Sequence, residues 1–326
     1  MTFKTIFFNL KRFASAGILA FMLIFGFLSC DSSSDIVEDE VEQEVNQQEE
    51  VEEEEEIEEE IIVEEEIVKV EGEDYFLPYI DLSNWKVTLP IGSPDEVEPP
   101  EILDYATDER LFPYMYNDST DGSLVFYTSP GSSTANSSYS RTELREQIVP
   151  GSNSTNWTFA EGGRMKGVLS VPEITTDVSG EYHRTLVMQI HGRLTNEQRD
   201  LIGEDDNNAP PVLKVYWQNG KIRVKTKVLK NVNASDEEIL HTEAWGDDEG
   251  YTFPDEIGTD IFTFEIIASN GRMEVILNET ESVVYEDIHM EKWGVFENYF
   301  KAGNYLQTLD IGASAKVKYY ELEVTH

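Results

Sequence analysis

The sequence predicts an all-β protein, an antiparallel sandwich or barrel, and three observations carry that prediction. Short runs with period-two apolar alternation recur from about residue 76 onward. Two pairs of runs are joined by Asn-Gly, at Asn219-Gly220 and Asn270-Gly271, the dipeptide best suited to a two-residue hairpin turn. No long stretch carries a 3.6-residue apolar repeat. Many short strands with tight turns and few helices bury their apolar faces by packing sheet on sheet.

The first element is NWKVTLPI, a strand ended by Pro90. GSLVFYTS, SYSRTELREQIV, GRMKGVLSVPEI and RTLVMQIHG follow as further alternating runs. VLKVYWQNGKIRVKTKV and FTFEIIASNGRMEVILN each read as a hairpin, because polar turn residues interrupt two runs of β-branched and aromatic residues. TNEQRDLIGED fits one short helix, and KVKYYELEVTH is a last strand. There is no internal repeat.

Ahead of this globular part lie two other segments. Lys4, Lys11 and Arg12 precede an apolar run over residues 13 to 28, the pattern of a secretory signal. That run is short for a spanning helix. The only cysteine, Cys30, follows Phe27-Leu28-Ser29, which resembles a bacterial lipobox except that Phe27 stands where leucine is commoner. On that reading Cys30 is lipidated and the chain is exported and anchored to a membrane, the outer membrane or cell surface; the alternative is an uncleaved anchor helix. Residues 31 to 74 hold 23 acidic residues and one lysine, with no aromatic side chain. Such a stretch repels itself and stays extended, a solvated tether. The expected organisation is an export segment over 1–30, an acidic linker over 31–75, and one folded domain over 76–326, expected to be a monomer.

The formal charge of −41 excludes a general nucleic-acid partner, which needs a basic footprint. Residues 75 to 326 alone stand at −22. One cysteine allows neither an internal disulfide nor a zinc site made of thiolates. The five histidines, 183, 191, 241, 289 and 326, show no metal-ligand spacing, so neither a metal nor a cofactor is expected.

Parity along the strands points to a site. In TLVMQIHGR, Leu186, Met188 and Ile190 fall on one face and Val187, Gln189 and His191 on the other. In SRTELRE, Arg141, Glu143 and Arg145 share a face, and in NYFKAGNYLQ so do Tyr299, Lys301, Gly303, Tyr305 and Gln307. Each stripe alone has a plain reading as a solvated ion-pair ladder or ordinary strand surface.

Together and in this order, RTELRE, QIH and YFKAGNY, with LSNWKVTLPI near the start of the domain, resemble the alginate lyases of polysaccharide lyase family 7. The likeness covers about residues 79 to 326. It implies a β-jelly roll of two packed sheets whose concave face is a polysaccharide groove, and it implies alginate as the partner. It makes Arg141, Gln189, His191 and Tyr305 the catalytic set, with Glu143, Arg145, Lys301 and Tyr299 lining the groove. The isoleucine form of the QIH triplet, Ile190 here, is associated in that family with guluronate-containing blocks.

The chemistry suits these residue types. Elimination removes a weakly acidic C5 proton beside a carboxylate and expels the 4-linked sugar. An arginine and an amide can hold the carboxylate as it gains charge. An imidazole can take the proton and a phenol can protonate the leaving oxygen. Arg193 and Lys225 are further sources of positive potential in an acidic domain. The long connection over residues 192 to 211 is expected to wall one end of the groove and so favour trimming from chain ends. Two other functions stay open at this point. A glycoside hydrolase would need two carboxylates about 5–10 Å apart, and only Glu143 offers itself. A carbohydrate-binding surface protein would need neither His191 nor Tyr305.

Overall fold

Residues 67–70, 73–76, 79–133 and 137–326 are described by the structure, a computed structural model. The predicted export segment, Cys30 and most of the acidic linker lie outside them. Among the described residues, Ile67–Val70 pairs antiparallel with Glu73–Phe76, ahead of the expected boundary at 75.

The main strands in chain order are β1 Trp85–Thr88, β2 Glu96–Val97, β3 Met115–Asp118, β4 Ser123–Thr128, β5 Arg141–Glu146 and β6 Gly163–Ile174. Then come β7 Thr185–Arg193, β8 Asn208–Gln218, β9 Lys221–Leu229 and β10 Trp245–Asp247. The last are β11 Phe262–Ser269, β12 Arg272–Leu277, β13 Glu281–Tyr285, β14 Glu297–Leu306 and β15 Ala315–Thr325. Two short helices join them, α1 Asn196–Ile202 and α2 Ile288–Trp293.

The strands form two sheets. The front sheet runs β10-β9-β8-β7-β14-β5-β1-β2, and the back sheet β13-β12-β11-β6-β15-β4-β3. Among the described residues the neighbours are antiparallel except for the short strand Tyr79–Ile80, which runs parallel beside β15. The last strand is therefore central, between β6 and β4. Both Asn-Gly hairpins form, with Gln218 opposite Lys221 and Ser269 opposite Arg272. Asn219 and Gly220 both take positive φ, the condition for a turn that matches strand twist.

The inner faces interdigitate. Val87, Leu144, Ile190 and Phe300 from the front sheet belong to one buried cluster with Phe126, Met165, Phe264 and Val317 from the back. Each such side chain contributes about 1.5–3 kcal/mol through removal from water. The opposite face of the front sheet is left for polar groups, and alternation sends Gln189 and His191 there.

Two irregularities mark the centre of the front sheet. The first is a register shift between Leu186 and Met188 in both pairings of β7. It overturns part of the expected alternation. Leu186 turns to the outer face, opposite Tyr305 and Tyr216, while Val187 joins the core. One extra residue in a strand does this by resetting parity beyond it. The second is Gly303, at φ +137°. A Cβ there would lie 2.6 Å from the Thr142 carbonyl oxygen, so no other residue fits. Tyr319, fully buried on the back sheet, braces both places. Its hydroxyl donates to the Val187 carbonyl at 2.5 Å and accepts from the Gly303 N–H at 3.3 Å.

Candidate active site

Directly opposed residues on neighbouring strands share a face. Following that register outward from Gln189 on β7 gives Lys301 on β14, Arg145 on β5 and Lys86 on β1 in one direction. In the other it gives Lys214 on β8 and Lys225 on β9. Five cations and one amide thus cross the outer face of six adjacent strands. Some are already paired, Lys86 with Glu96 at 2.6 Å and Lys214 with Asp247 at 3.1 Å.

On one side of this row lies His191, opposite Tyr299. The two rings stack, 5.2 Å between centres and 14° apart. Arg145 lies over the same tyrosine ring at 4.1 Å, and its guanidinium donates to the backbone of Glu146 and Asn153 and to the Asn156 side chain. On the other side of the row lies Tyr305, opposite Arg141. That guanidinium sits 3.9 Å from the phenol ring centre, and the Tyr305 hydroxyl bonds Ser137 Oγ.

Glu143 joins these groups. It is 1% exposed, accepts from Gln189 Nε2 at 2.5 Å and from Arg141 Nη1 at 3.3 Å, and contacts the Lys301 ammonium. A buried charge is costly unless paired and hydrogen-bonded, and Glu143 is both. Burial works to raise its carboxyl, but Lys301 and Arg141 outweigh that and hold it below its ordinary value. The buried Nε of Arg141 has no hydrogen-bond partner among the described residues.

The electrostatics set protonation states. Burial, then Lys301, pushes the His191 imidazole down to about 3. It is therefore neutral at any ordinary pH, more so than an unperturbed histidine would be. Its Nδ1 lies 3.0 Å from the Gly192 carbonyl oxygen, which can only accept. The proton is thereby assigned to Nδ1, and Nε2 keeps its lone pair. Burial also pushes the Lys301 ammonium down to about 8, against the pull of Glu143. Burial raises the Tyr299 phenol, so it stays protonated.

All eight predicted site residues therefore stand on one face. The contacts draw them into two linked groups, His191 with Tyr299 and Arg145, and Gln189 with Glu143, Lys301, Arg141 and Tyr305. Lys86 and Lys214 were missed, although their alternation with buried Val87, Leu213 and Val215 marks the same face. Ser137 and Tyr319 gave no sequence signal. No group of three or more His, Cys, Asp or Glu among the described residues is arranged to hold a metal ion.

A family model described as alginate lyase matches residues 80–326. The chain belongs to the alginate lyases of polysaccharide lyase family 7. Similar proteins agree with that. An alginate lyase of Klebsiella pneumoniae is 24% identical over 295 residues, 76% of this chain and 89% of that one. The solved structure of family 7 alginate lyase A1-II′ in complex with a GGG product has 30% identity and a TM-score of 0.61, covering 76% of this chain and 96% of that one. A form of A1-II′ with a histidine-to-asparagine and a tyrosine-to-phenylalanine substitution, in complex with the substrate GGMG, has 29% identity and a TM-score of 0.60 over 76% of this chain and 94% of that one. The two sheets of this family 7 lyase are thus the expected jelly roll, and the enzyme is a polysaccharide lyase.

Proposed function

We propose that this lyase cleaves the 1,4 bonds of alginate by β-elimination on the outer face of the front sheet, with a preference for guluronate-containing blocks. The observation that carries the reading is the neutral His191, its Nε2 lone pair unclaimed, on the same face as the Arg141–Gln189–Glu143 cluster and Tyr305.

Arg141 and the Gln189 amide face the uronate carboxylate and offset the second negative charge that builds on it. His191 Nε2 takes the C5 proton. The electron pair forms the C4–C5 double bond as the C4–O bond breaks. Tyr305 gives its proton to the departing oxygen. Glu143 reacts with nothing in this scheme; it is already held by three donors and aligns them. The same engagement argues against a hydrolase, which needs a carboxylate free to act as nucleophile or base. The two substituted residue types in the A1-II′ substrate complex, a histidine and a tyrosine, match the types assigned here to proton transfer.

Ile190 is fully buried in the core, so any effect on block preference passes through the seating of Gln189 and His191 on either side of it. The reading of end trimming rests on the length of the 192–211 connection, whose Asn207 and Asn208 line a cleft beside Tyr299. The basic start, the apolar run and Cys30 support export and lipid anchoring of the whole chain.

The test is to incubate the full chain with separate guluronate and mannuronate polymers, following ultraviolet absorbance of the new double bond and product length. Faster absorbance growth on guluronate with short products from the outset is expected. Products without ultraviolet absorbance would refute elimination, and an early burst of mid-length oligomers would refute end trimming.

A further inference from the structure

Behind the Arg141–Tyr305 pair the interior of the sandwich turns polar. Thr128, Thr142, Thr185 and Asn304 are fully buried there. Each is hydrogen-bonded, as a buried polar group must be.

Thr142 directly follows Arg141 on β5, and Asn304 directly precedes Tyr305 on β14; the two are opposed across the ladder. A side chain of the back sheet bridges their backbones. The Thr128 hydroxyl, at the end of β4, accepts from the Thr142 N–H at 2.9 Å and donates to the Asn304 carbonyl at 3.1 Å. Thr142 Oγ1 in turn donates to the Tyr127 carbonyl at 2.6 Å, so β5 is tied to β4 twice.

The Asn304 side chain reaches into the back sheet. Its Nδ2 donates to the carbonyls of Phe126 on β4 at 3.0 Å and Ala315 on β15 at 2.8 Å. Its Oδ1 accepts from Thr185 Oγ1 on β7 at 2.7 Å. Both amide protons and the amide oxygen are engaged, which fixes the orientation of the amide. Thr185 directly precedes Leu186, the residue of β7 opposite Tyr305. Tyr305 is therefore framed on both sides, by Thr128 toward β5 and by Thr185 toward β7. A fully bonded buried network holds one geometry, where an apolar filling could settle into several. On the outer face that geometry is the seat of the Tyr305 phenol, with the Arg141 guanidinium 3.9 Å from its ring centre.

We propose that Thr128 and Asn304 are positioning residues for the acid: their buried hydrogen bonds set β14 against β5 so that the Tyr305 hydroxyl meets the departing oxygen. The proposal rests on the β-elimination reading above, in which Tyr305 is the proton donor. The proton passes from the Tyr305 hydroxyl to the leaving oxygen as the C4–O bond breaks, and neither Thr128 nor Asn304 exchanges a proton with the sugar. Arg141 is held separately by Glu143. A loosened clamp thus displaces the phenol and leaves the carboxylate contacts in place.

The experiment compares the full wild-type chain with Thr128→Val, Thr128→Ser and Thr185→Val on alginate, well below each melting temperature. It reads kcat, KM and the solvent deuterium isotope effect from ultraviolet absorbance. Thr128→Val keeps the shape and loses the hydroxyl. Its kcat is expected to fall about ten- to a hundredfold, the scale for a displaced catalytic group, with KM within about twofold of wild type. Its solvent isotope effect is expected to rise, because delivery of the exchangeable phenol proton becomes the slow step. Thr128→Ser restores the hydroxyl and is expected to bring kcat back to within about threefold of wild type. Thr185→Val leaves the Thr128 bridge whole; it is expected to show the same pattern more weakly, and it carries the test if Thr128→Val does not fold. A purely structural network would lower the melting temperature of both valine variants and leave kcat and the isotope effect as in the wild type. That result, or a Thr128→Ser variant as slow as Thr128→Val, overturns the positioning role. A wild-type chain with no ultraviolet-absorbing product would instead overturn the elimination reading itself.

Discussion

Gln189 and Glu143 bond side chain to side chain at 2.5 Å although a whole strand lies between them. Gln189 is on β7, Glu143 on β5, and β14 separates the two. The residue of β14 opposite Glu143 is Gly303, which places no side chain between them. Gly303→Ala meets two penalties, a positive φ and a Cβ pressed on β5 backbone. A loss of about 2–4 kcal/mol in stability is expected, with a matching fall in melting temperature. Activity measured well below that temperature should still fall, because β14 and β5 must separate to admit the methyl group. A variant with unchanged melting temperature and turnover would show that the close approach is unimportant.

Tyr319 makes the second cross-sheet claim. Its hydroxyl satisfies the Val187 carbonyl and the Gly303 N–H, backbone groups at the two irregular points of the catalytic sheet. Bulged backbone loses ladder partners, and a buried unpaired group costs about 1–3 kcal/mol. Tyr319→Phe keeps the ring packing against Phe126 and removes only the hydroxyl. The expected outcome is about 2–4 kcal/mol less stability and a lower kcat with little change in KM. Urea melts and initial rates on polymer check it.

The pH profile follows from two groups. His191 is held at about 3 by burial and then by Lys301, so the base is already neutral in mild acid. Lys301, lowered to about 8 by burial, loses its charge on the alkaline side. The ratio kcat/KM should therefore stay level from about pH 5 to 7 and decline above about 8. An acid limb centred near 6.5 would mean that His191 ionises as a solvent-exposed histidine does, contrary to its seat between Tyr299 and the Lys301 row.

Much of this was legible from parity alone. Alternation places Arg141, Glu143 and Arg145, then Gln189 and His191, then Tyr299, Lys301 and Tyr305 on one face of their strands, and they lie there. It also marks Lys86, between buried Trp85 and Val87, and Lys214, between buried Leu213 and Val215, although only register shows that they continue one row. The bulge at Leu186–Met188 was not legible, because an inserted residue leaves an equally apolar string. Nor was the Gln189–Glu143 bond, which depends on β14 running between two strands distant from it in the chain. Tyr319 read as one more aromatic of a last strand; its hydroxyl matters only because the back sheet sets it behind two irregularities of the front one.

The row through Lys86, Arg145, Lys301, Lys214 and Lys225 predicts salt sensitivity. A polyanion drawn to this row of cations is screened beyond about 10 Å at 0.1 M salt. KM on polymer should rise several-fold between low and high ionic strength while kcat changes little. Lys225→Ala, at the half-buried end of the row, should raise KM about two- to threefold at low salt and shrink the salt dependence. An affinity flat across ionic strength would remove electrostatic capture from the account.

Two histidines should give opposite signatures in stability against pH. His191 has a folded pKa of about 3, below the 6.5 of the unfolded chain. The unfolded state binds a proton first, so stability is present above pH 6.5 and drains away as pH falls toward 3. His326 differs: its Nε2 is 2.6 Å from Glu146 Oε1 and its Nδ1 is 3.2 Å from the Gly162 carbonyl oxygen. Two acceptors favour the doubly protonated ring. Burial opposes this, yet Glu146 and Gly162 prevail and the imidazole is raised above 6.5. Its contribution is complete below pH 6.5 and disappears as pH climbs through the raised value. Glu146 also accepts from the Trp157 indole at 3.1 Å and the Phe300 N–H at 2.9 Å, so His326 helps fix the carboxylate that anchors β14 from behind. Urea melts of His191→Gln and His326→Gln against the wild-type chain separate the two. The first should lessen the acid loss between pH 6.5 and 3, and the second should show its largest deficit near pH 6 and none in alkali. If His326→Gln carries the same deficit at every pH, the ring is held by packing on Trp157 and Phe300 and not by its charge.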